Sequence, residues 1–321
     1  MQKKIVTLAL IAIVTLLIGC GKDDGKTSTA PKLVKLTDNV YYMEGDLNLP
    51  NKKNRGFMNN PGIVITKRGV AIIDPGSNYE VANKVIAEAR KLTDKPIIAV
   101  FNSHIHGDHW LGNGAIKKAY PKAIIYAHPE MQSLVKAGDG ERWIKIMNEL
   151  TGGAMGDTKP VGPDIVVNDG EVLKLGETEF RMHIYGDKTH TDNDLIVEVV
   201  QEKVVFLGDV VMLGRLPANL ETFHVHNSIK FIDKVFTTGA THYVPGHGSA
   251  GGQKVMEAYR IFLQIIYDDV KKYSEEGNVA YEMKPKVVKR LSAYKGWVDF
   301  EKEVGRIIAR AYAQIEEEMF K

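Results

Sequence analysis

Three histidines and one aspartate lie within six consecutive residues of this chain, at His104, His106, Asp108 and His109. Imidazole and carboxylate groups are the usual protein ligands of zinc and similar divalent ions. Side chains of an extended segment alternate between two sides, so His104 and His106 point the same way. Gly107 permits a sharp turn, after which Asp108 and His109 can face the same cavity from another direction. The stretch therefore predicts a metal site.

Three further candidate ligands follow other predicted strands and are flanked by small or turn residues: His190, Asp209 and His247. Loops at strand ends are where a rigid scaffold presents reactive groups. An exposed histidine-rich loop is the alternative interpretation of the first cluster. The apolar run over 97–101 argues against it, because that run is typical of a buried strand feeding the loop. Together the candidates supply two complete ligand sets.

The composition restricts the possible functions. The chain has 321 residues, of which 26% are charged and 44% hydrophobic, and a formal net charge of +2. This is ordinary for a globular protein of one large or two small domains. The charge is nearly balanced and no basic cluster stands out, so we expect no nucleic-acid partner. The single cysteine excludes an intramolecular disulfide and a cysteine-based zinc finger, so a metal site must use His, Asp or Glu.

The amino terminus has the features of an export signal. Two lysines precede an apolar run over 5–18. A membrane-spanning helix needs about 20 apolar residues, so this shorter run suits a secretory signal peptide better. The run ends at Cys20 in a sequence that resembles the lipobox of bacterial lipoproteins, in which the cysteine is lipidated.

These features predict a signal peptide over 1–19, a lipid anchor at Cys20 that attaches the protein to a membrane, and a flexible tether over 20–31. The expected location is that of an exported, membrane-anchored lipoprotein facing the periplasm or the cell exterior. An uncleaved membrane helix with an incidental cysteine is the alternative.

The remaining chain alternates between predicted strands and helices. We predict one strand over 33–42, a hairpin over 63–73 and a helix over 79–92. From residue 252 onward the pattern is helical, with two apolar stripes that favour packing in the core, while a lid over the site or a dimer face is the alternative. Two sheets with helices outside them is the layered arrangement that this order favours.

Four motifs in fixed order give the chain a specific resemblance. They are His-x-His-x-Asp-His at 104–109, His-Thr at 190–191, Phe-x-Gly-Asp at 206–209 and Pro-Gly-His-Gly at 245–248. This order resembles the metallo-β-lactamase superfamily over 32–256. The resemblance implies an α/β fold, a four-layer αββα sandwich with a metal pair in a cleft at one edge of the two sheets. We expect 257–321 to form a helical extension packed on that catalytic domain.

The resemblance also implies a role for each candidate ligand. Three imidazoles would hold a first metal ion: His104, His106 and His190. One carboxylate and two imidazoles would hold a second: Asp108, His109 and His247. Asp209 would bridge the two ions, and Asp74 matches a family carboxylate that supports the site by accepting the second N–H of a ligating imidazole. The alternative for Asp74 is a helix cap or turn former.

The ligand types suit two Zn²⁺, although they also accept iron or manganese. Two such ions can share a hydroxide, because metal binding lowers the pKa of water from about 15.7 to about 7. That hydroxide is the expected nucleophile, held by the catalytic carboxylates Asp108 and Asp209. For the substrate pocket we expect Trp110 and Asn113, which follow the first ligands, and the residues His224 and His226, which follow Asp209.

The residue at position 209 distinguishes branches of the family. Zinc β-lactamases commonly carry cysteine or serine there, whereas aspartate is typical of glyoxalase II-like and other general hydrolases. Our leading hypothesis is therefore an exported binuclear zinc hydrolase that opens an ester, thioester, lactone or amide bond of a small molecule. The alternatives are a β-lactamase, a mononuclear iron dioxygenase acting on a persulfide, and a non-catalytic metal-binding lipoprotein.

Overall fold

Two β-sheets lie face to face in the computed structural model, which describes residues 32–218 and 220–319. The predicted signal peptide, the tether and the lipidation site at Cys20 lie outside the described residues. No helix within the described ranges is long and apolar enough to cross a bilayer.

The first sheet has seven strands in chain order, β1 (Lys32–Lys35), β2 (Val40–Glu44), β3 (Gly62–Ile65), β4 (Val70–Ile73), β5 (Ile97–Phe101), β6 (Ile124–Ala127) and β7 (Ile165–Val166). Strands β1 to β4 pair antiparallel, and β4 to β7 pair parallel. The segment predicted as one strand over 33–42 is instead β1 and β2 of a hairpin, because Leu36 and Thr37 donate backbone hydrogen bonds to the Val40 carbonyl and turn the chain.

The second sheet contains five strands, β8 (Val172–Leu175), β9 (Thr178–His183), β10 (Ile196–Val199), β11 (Val204–Phe206) and β12 (His242–Val244). Their spatial order is β12-β11-β10-β9-β8, and all neighbours pair antiparallel except β11 and β12, which run parallel. In each sheet the parallel strands therefore end at the edge where the chain carries its candidate ligands.

The helices of the described residues are α1 (Tyr79–Leu92), α2 (Gly107–Trp110), α3 (Asn113–Ala119), α4 (Pro129–Lys136), α5 (Asp139–Thr151), α6 (Val225–Phe236), α7 (Lys254–Glu275), α8 (Ala280–Arg290) and α9 (Phe300–Met319). The predicted boundary at 256/257 falls in the first turn of α7.

Alternate residues of the central strands enter two different cores. Val64, Ala71 and Ile73 face the second sheet, and their neighbours Ile63 and Ile72 face α1 and α3 on the outside. On the far side, α6 to α9 pack against the outer face of the second sheet. The order helix, sheet, sheet, helix confirms the predicted αββα sandwich. The two apolar stripes after residue 252 lie in this last core, as predicted.

Aromatic rings join the two sheets at the strand that leads to the first ligand cluster. Phe101, the last residue of β5, is fully buried and stacks on Phe180 of β9, with ring centroids 5.0 Å apart. It also stacks on Tyr126 of β6 at 5.3 Å. The end of β5 is thus held by rings of both sheets directly before the predicted ligands begin.

Because Phe101 fills the interior between the sheets, Phe101→Ala should lower the free energy of unfolding by about 3–5 kcal/mol. The change is measured by urea denaturation in the presence of a chelator. Ile124→Ala on the adjacent strand removes a side chain that is 36% exposed and should cost about 1 kcal/mol or less. Equal losses in the two variants would contradict the assignment of Phe101 to the core between the sheets.

Candidate metal centre

The seven predicted ligands come from four separate segments and meet at one edge of the sandwich. The loop after β5 carries His104 and His106 and runs into α2, which carries Asp108 and His109. The other three come from connections of the second sheet. His190 lies between β9 and β10, Asp209 lies in the 3-10 turn Gly208–Val210 after β11, and His247 lies after β12. All seven side chains are buried.

The donor atoms form two groups, each with atoms within 4.8 Å of one another. One group contains three imidazoles and a carboxylate: His104, His106, His190 and Asp209. The other contains Asp108, His109 and His247. The division between the groups matches the ligand sets that the family resemblance implies, with Asp209 assigned by distance to the first.

The Asp209 carboxylate contacts both groups. Its Oδ2 lies 3.5 Å from His190 Nε2 and 3.9 Å from His104 Nε2 in the first group. Its Oδ1 lies 3.2 Å from His109 Nε2, and Oδ2 also lies 3.2 Å from His247 Nε2, both in the second group. A carboxylate between two ligand sets is the arrangement required of a bridging ligand.

Asp74 supports the site from behind the ligands. Its Oδ2 accepts a hydrogen bond from Ser103 Oγ at 2.6 Å and lies 2.9 Å from His109 Nδ1. Ser103 Oγ in turn lies 2.9 Å from His104 Nδ1. Asp74 has a φ of 50°, a left-handed conformation that aspartate tolerates better than most residues. One carboxylate thereby orients an imidazole of each group.

The imidazole of His247 is oriented by backbone, because its Nδ1 lies 2.8 Å from the Met58 carbonyl oxygen. The neighbouring Gly246 allows the close approach of Asp209. A Cβ at position 246 would lie 1.9 Å from Asp209 Oδ1, well inside van der Waals contact. The Pro-Gly-His-Gly motif therefore needs glycine before the ligand for steric reasons.

Several atoms at the centre of the cluster are buried and have no hydrogen-bond partner among the described residues. They include the Nε2 atoms of His104 and His109, Oδ2 of Asp108 and Oδ1 of Asp209. A buried polar atom without a partner is costly, and such groups commonly coordinate metals. The Nδ1 atoms of the same two imidazoles are occupied by Ser103 and Asp74, so the free nitrogens point to where cations fit.

The pKa shifts of the histidines differ between the two ligand groups. Burial lowers the pKa of His106 to about 3 and that of His190 to about 4, so both are neutral and can donate a lone pair. Burial also lowers the pKa of His109, but the carboxylates of Asp108, Asp209 and Asp74 outweigh it and raise the pKa well above its usual value. A metal ion bound at the second group would take the place of the proton that these carboxylates favour on His109.

A cavity of about 400 Å³ opens onto this cluster and is lined by the ligands His106, Asp108, His190, Asp209 and His247. Much of the remaining wall is apolar: Leu49, Pro50, Met58, Trp143, Ile146, Met147, Leu150 and Met212. A second cavity of about 250 Å³ shares His106, Arg142 and Trp143 with the first. The centre thus faces space large enough for a small molecule.

Trp110 and Asn113 do not line this cavity, contrary to prediction. Both are fully buried. The indole N–H of Trp110 donates to the Ile105 carbonyl at 2.8 Å, which directs the ring into the core beneath the first ligands. Asn113 exchanges side-chain hydrogen bonds with Asn102, at 3.1 and 2.8 Å. Both residues brace the ligand loop from behind.

His224 and His226 also lie away from the cavity, contrary to prediction. His224 begins helix α6, where its Nδ1 accepts a hydrogen bond from the Asn227 backbone N–H at 3.3 Å. His226 stacks on Tyr267 of α7, with centroids 4.3 Å apart, and its Nδ1 lies 3.2 Å from Glu318 of α9. His226 therefore joins α6 to α7 and α9, whereas His224 caps the start of α6.

Residues of α5 and of the loop after Asp209 also form the cavity wall, and none of them was predicted. Trp143 lies with its ring centroid 5.0 Å from that of His106, and Met147 lies one helical turn further along. Trp143 and Met147 are four residues apart on an amphipathic helix, and this spacing is the sequence feature that indicates a shared helix face. Arg215, only 2% exposed, had no comparable signal in the sequence.

Comparisons with known proteins agree with this geometry. Residues 54–261 match the sequence profile of the Metallo-beta-lactamase superfamily. Among solved structures, the metallo-beta-lactamase from Pontibacter korlensis matches with a TM-score of 0.59 at 17% identity, covering 73% of this chain and 99% of that one. The metallo beta lactamase from Hirschia baltica matches with a TM-score of 0.54 at 16% identity, covering 73% of this chain and 97% of that one. At these identities the likeness shows the fold.

Curated relatives are similar over shorter stretches. The hydroxyacylglutathione hydrolase of Francisella tularensis subsp. novicida (strain U112) is 27% identical over 159 residues, which is 49% of this chain and 49% of that protein. The chain thus spans about half the length of this relative. The linear primary-alkylsulfatase of Pseudomonas sp. (strain ATCC 19151) is 46% identical over 41 residues, or 13% of this chain.

The position of Asp209 leads to a prediction about metal content. Asp209→Ala removes the carboxylate shared by both groups, so the variant should keep the ion of the three-imidazole group and lose the other. Metal is quantified by plasma mass spectrometry after desalting. Asp164→Ala, at a carboxylate that is 40% exposed, is the matched control and should retain the parent content. Full metal content in Asp209→Ala would mean that the bridge is misassigned.

Proposed function

The chain belongs to the metallo-beta-lactamase superfamily, and on that basis we propose that it is a binuclear zinc hydrolase that opens an ester, thioester, lactone or amide bond of a small molecule. The single observation that carries the proposal is the Asp209 carboxylate, which lies 3.2 Å from the Nε2 atoms of His109 and His247 and 3.5 Å from that of His190. A shared carboxylate suits two ions better than one.

The donor set fits zinc, since it consists of imidazoles and carboxylates, and the outer nitrogens of His104, His109 and His247 already have hydrogen-bond partners. Divalent ions bound there would supply a water of lowered pKa as the nucleophile and a Lewis acid for the oxygen of the scissile group. The imidazoles of His106 and His190 are neutral because burial lowers their pKa values, so they are ready to donate lone pairs.

The Asp108 carboxylate is placed to orient the nucleophilic water. It lines the cavity, and its Oδ2 lies 3.3 Å from the Nε2 atoms of both His109 and His247. Burial raises the pKa of this carboxyl, but the two histidines outweigh burial and hold the pKa well below its usual value. An ionised carboxylate at this place would accept a hydrogen bond from the nucleophilic water and orient it.

A thioester is the first bond to test. The similarity to hydroxyacylglutathione hydrolases supports it, and the aspartate at position 209 is the residue typical of that branch. The β-lactamase alternative is supported by the overall fold of the two solved neighbours, at 17% and 16% identity. The weaker support for a lactam makes it the second substrate to test.

We expect protein purified without added metal to contain zinc at both groups, and to hydrolyse members of a panel of thioester, lactone and lactam substrates. A chelator should abolish turnover and zinc should restore it, because the residues alone supply no nucleophile. Metal analysis of the same sample identifies the ions. One iron per chain with oxygen consumption on a persulfide would replace the hydrolase by an iron dioxygenase, and a metal-loaded protein inert to every substrate would favour a non-catalytic lipoprotein.

We also propose that the protein is exported and held to a membrane through Cys20, which rests on the amino-terminal sequence. Cys20→Ser removes the acyl acceptor, so the protein should move from the membrane fraction to the soluble fraction of the expressing bacterium. Immunoblots of separated fractions measure the distribution. Unchanged membrane attachment of Cys20→Ser would indicate an uncleaved apolar helix instead.

A further inference from the structure

Arg215 lies in the wall of the cavity beside the metal centre. It follows Asp209 on the same loop and is only 2% exposed. Leu213, two residues before Arg215, donates a backbone hydrogen bond to the His247 carbonyl at 2.9 Å, and Arg215 and His247 line the same cavity. The guanidinium is therefore close to the ligands without being one of them.

Two nitrogen atoms of this guanidinium, Nε and Nη1, are buried and have no hydrogen-bond partner among the residues that the structure describes. Burying a charged group without satisfying its donors costs several kcal/mol. Arg142, across the cavity, differs in this respect. It stacks over the Trp143 ring at 5.5 Å, and its Nε lies 3.6 Å from Asp139. Of these two cavity arginines, Arg215 is the one with buried donors to offer.

The carboxyl-terminal region holds Arg215 in place. Gly214 accepts a backbone hydrogen bond from Val298 at 2.8 Å, and Leu216 donates one to Val298 at 3.1 Å. Val298 lies in the connection between α8 and α9, next to Trp297, whose ring stacks on Tyr259 of α7. Backbone pairing on both sides of Arg215 thus fixes its main chain beside the cavity, while Nε and Nη1 keep no hydrogen-bond partner among the described residues.

Another part of the wall is apolar and includes Leu49, Met58, Ile146, Met147 and Leu150. A molecule that fills the cavity therefore meets an apolar surface, the ligand cluster and the buried cation Arg215, besides the charged side chains of Arg142 and Glu221. Guanidinium groups bind carboxylates strongly and with defined geometry, and the low dielectric of a buried site strengthens the contact.

We propose that Arg215 binds a carboxylate of an amphiphilic substrate, whose apolar body lies against Leu49, Met58 and Met147. This inference rests on the proposed function, because it takes the cavity to be the substrate site. It narrows the substrate class from small molecules in general to organic acids with an apolar body, in which the bond to be cleaved lies between the carboxylate and the metal centre.

The test uses the zinc-loaded protein and two probes of the same shape, 4-phenylbutyrate and the uncharged 4-phenylbutyramide. A third probe, 4-phenylbutane-1-sulfonate, carries a negative charge but coordinates zinc poorly, so it separates binding at Arg215 from binding at the metal ions. Isothermal titration calorimetry gives the dissociation constants. We expect the carboxylate to bind about 10- to 100-fold more tightly than the amide, as a hydrogen bond between charged groups provides.

In Arg215→Met this ratio should fall to near one, and Arg215→Lys should restore part of it. Arg90→Met removes an exposed arginine of α1 and controls for the change in net charge, so it should keep the parent ratio. If Arg215→Met is unfolded by near-ultraviolet circular dichroism, Arg215→Gln provides the same comparison with a polar side chain of shorter reach.

Two results together would show that the anion binds to the metal ions: Arg215→Met still binds the carboxylate more tightly than the amide, and the sulfonate binds the parent protein no more tightly than the amide. That outcome would overturn the inference and leave the hydrolase proposal intact. An Arg215-dependent ratio in a protein that hydrolyses no substrate would support the anion site and count against the proposed hydrolysis. The two proposals therefore fail separately.

Discussion

The mutual attraction of buried carboxylates and imidazoles at one edge of the sandwich is the interaction on which the rest of the structure depends. The Asp209 carboxylate lies within 3.2 to 3.9 Å of four imidazole nitrogens that belong to three different loops. None of these groups would be stable in a dry interior alone, because burying a charge without partners costs several kcal/mol. Their arrangement leaves inward-facing nitrogen and oxygen atoms unpaired, which cations can satisfy.

The parallel strands of both sheets end at the same edge of the sandwich, which brings their ligands together. Strand β5 delivers the first four ligands, and β11 and β12 deliver Asp209 and His247 side by side. The loops that follow β11 and β12 pack so closely that position 246 has no room for a side chain beside Asp209 Oδ1. The outer nitrogens of His109 and His247 are fixed by Asp74 and by the Met58 carbonyl, so these two ligands are oriented before any ion binds.

The alternation of strands and helices predicted two sheets with helices outside them, and the resemblance carried by four ordered motifs implied the αββα sandwich and the two ligand sets. The hairpin of β1 and β2 was missed because its turn is formed by backbone hydrogen bonds to Val40. Trp110 and Asn113 were placed wrongly because spacing alone does not show which side of a short helix faces the cavity. Arg215 could not be found either, since its role depends on a contact with Val298, which is distant in the sequence.

The pairing of the loop 214–216 with Val298 has a consequence for how such a protein can change over time. The cavity wall is tied to a connection between two terminal helices, and no metal ligand lies in that connection. Insertions or deletions there would move a wall of the cavity while both sheets and every ligand stay where they are. Selection can therefore alter which molecules enter without risking the reactive centre, so chemistry and specificity are free to diverge at different rates.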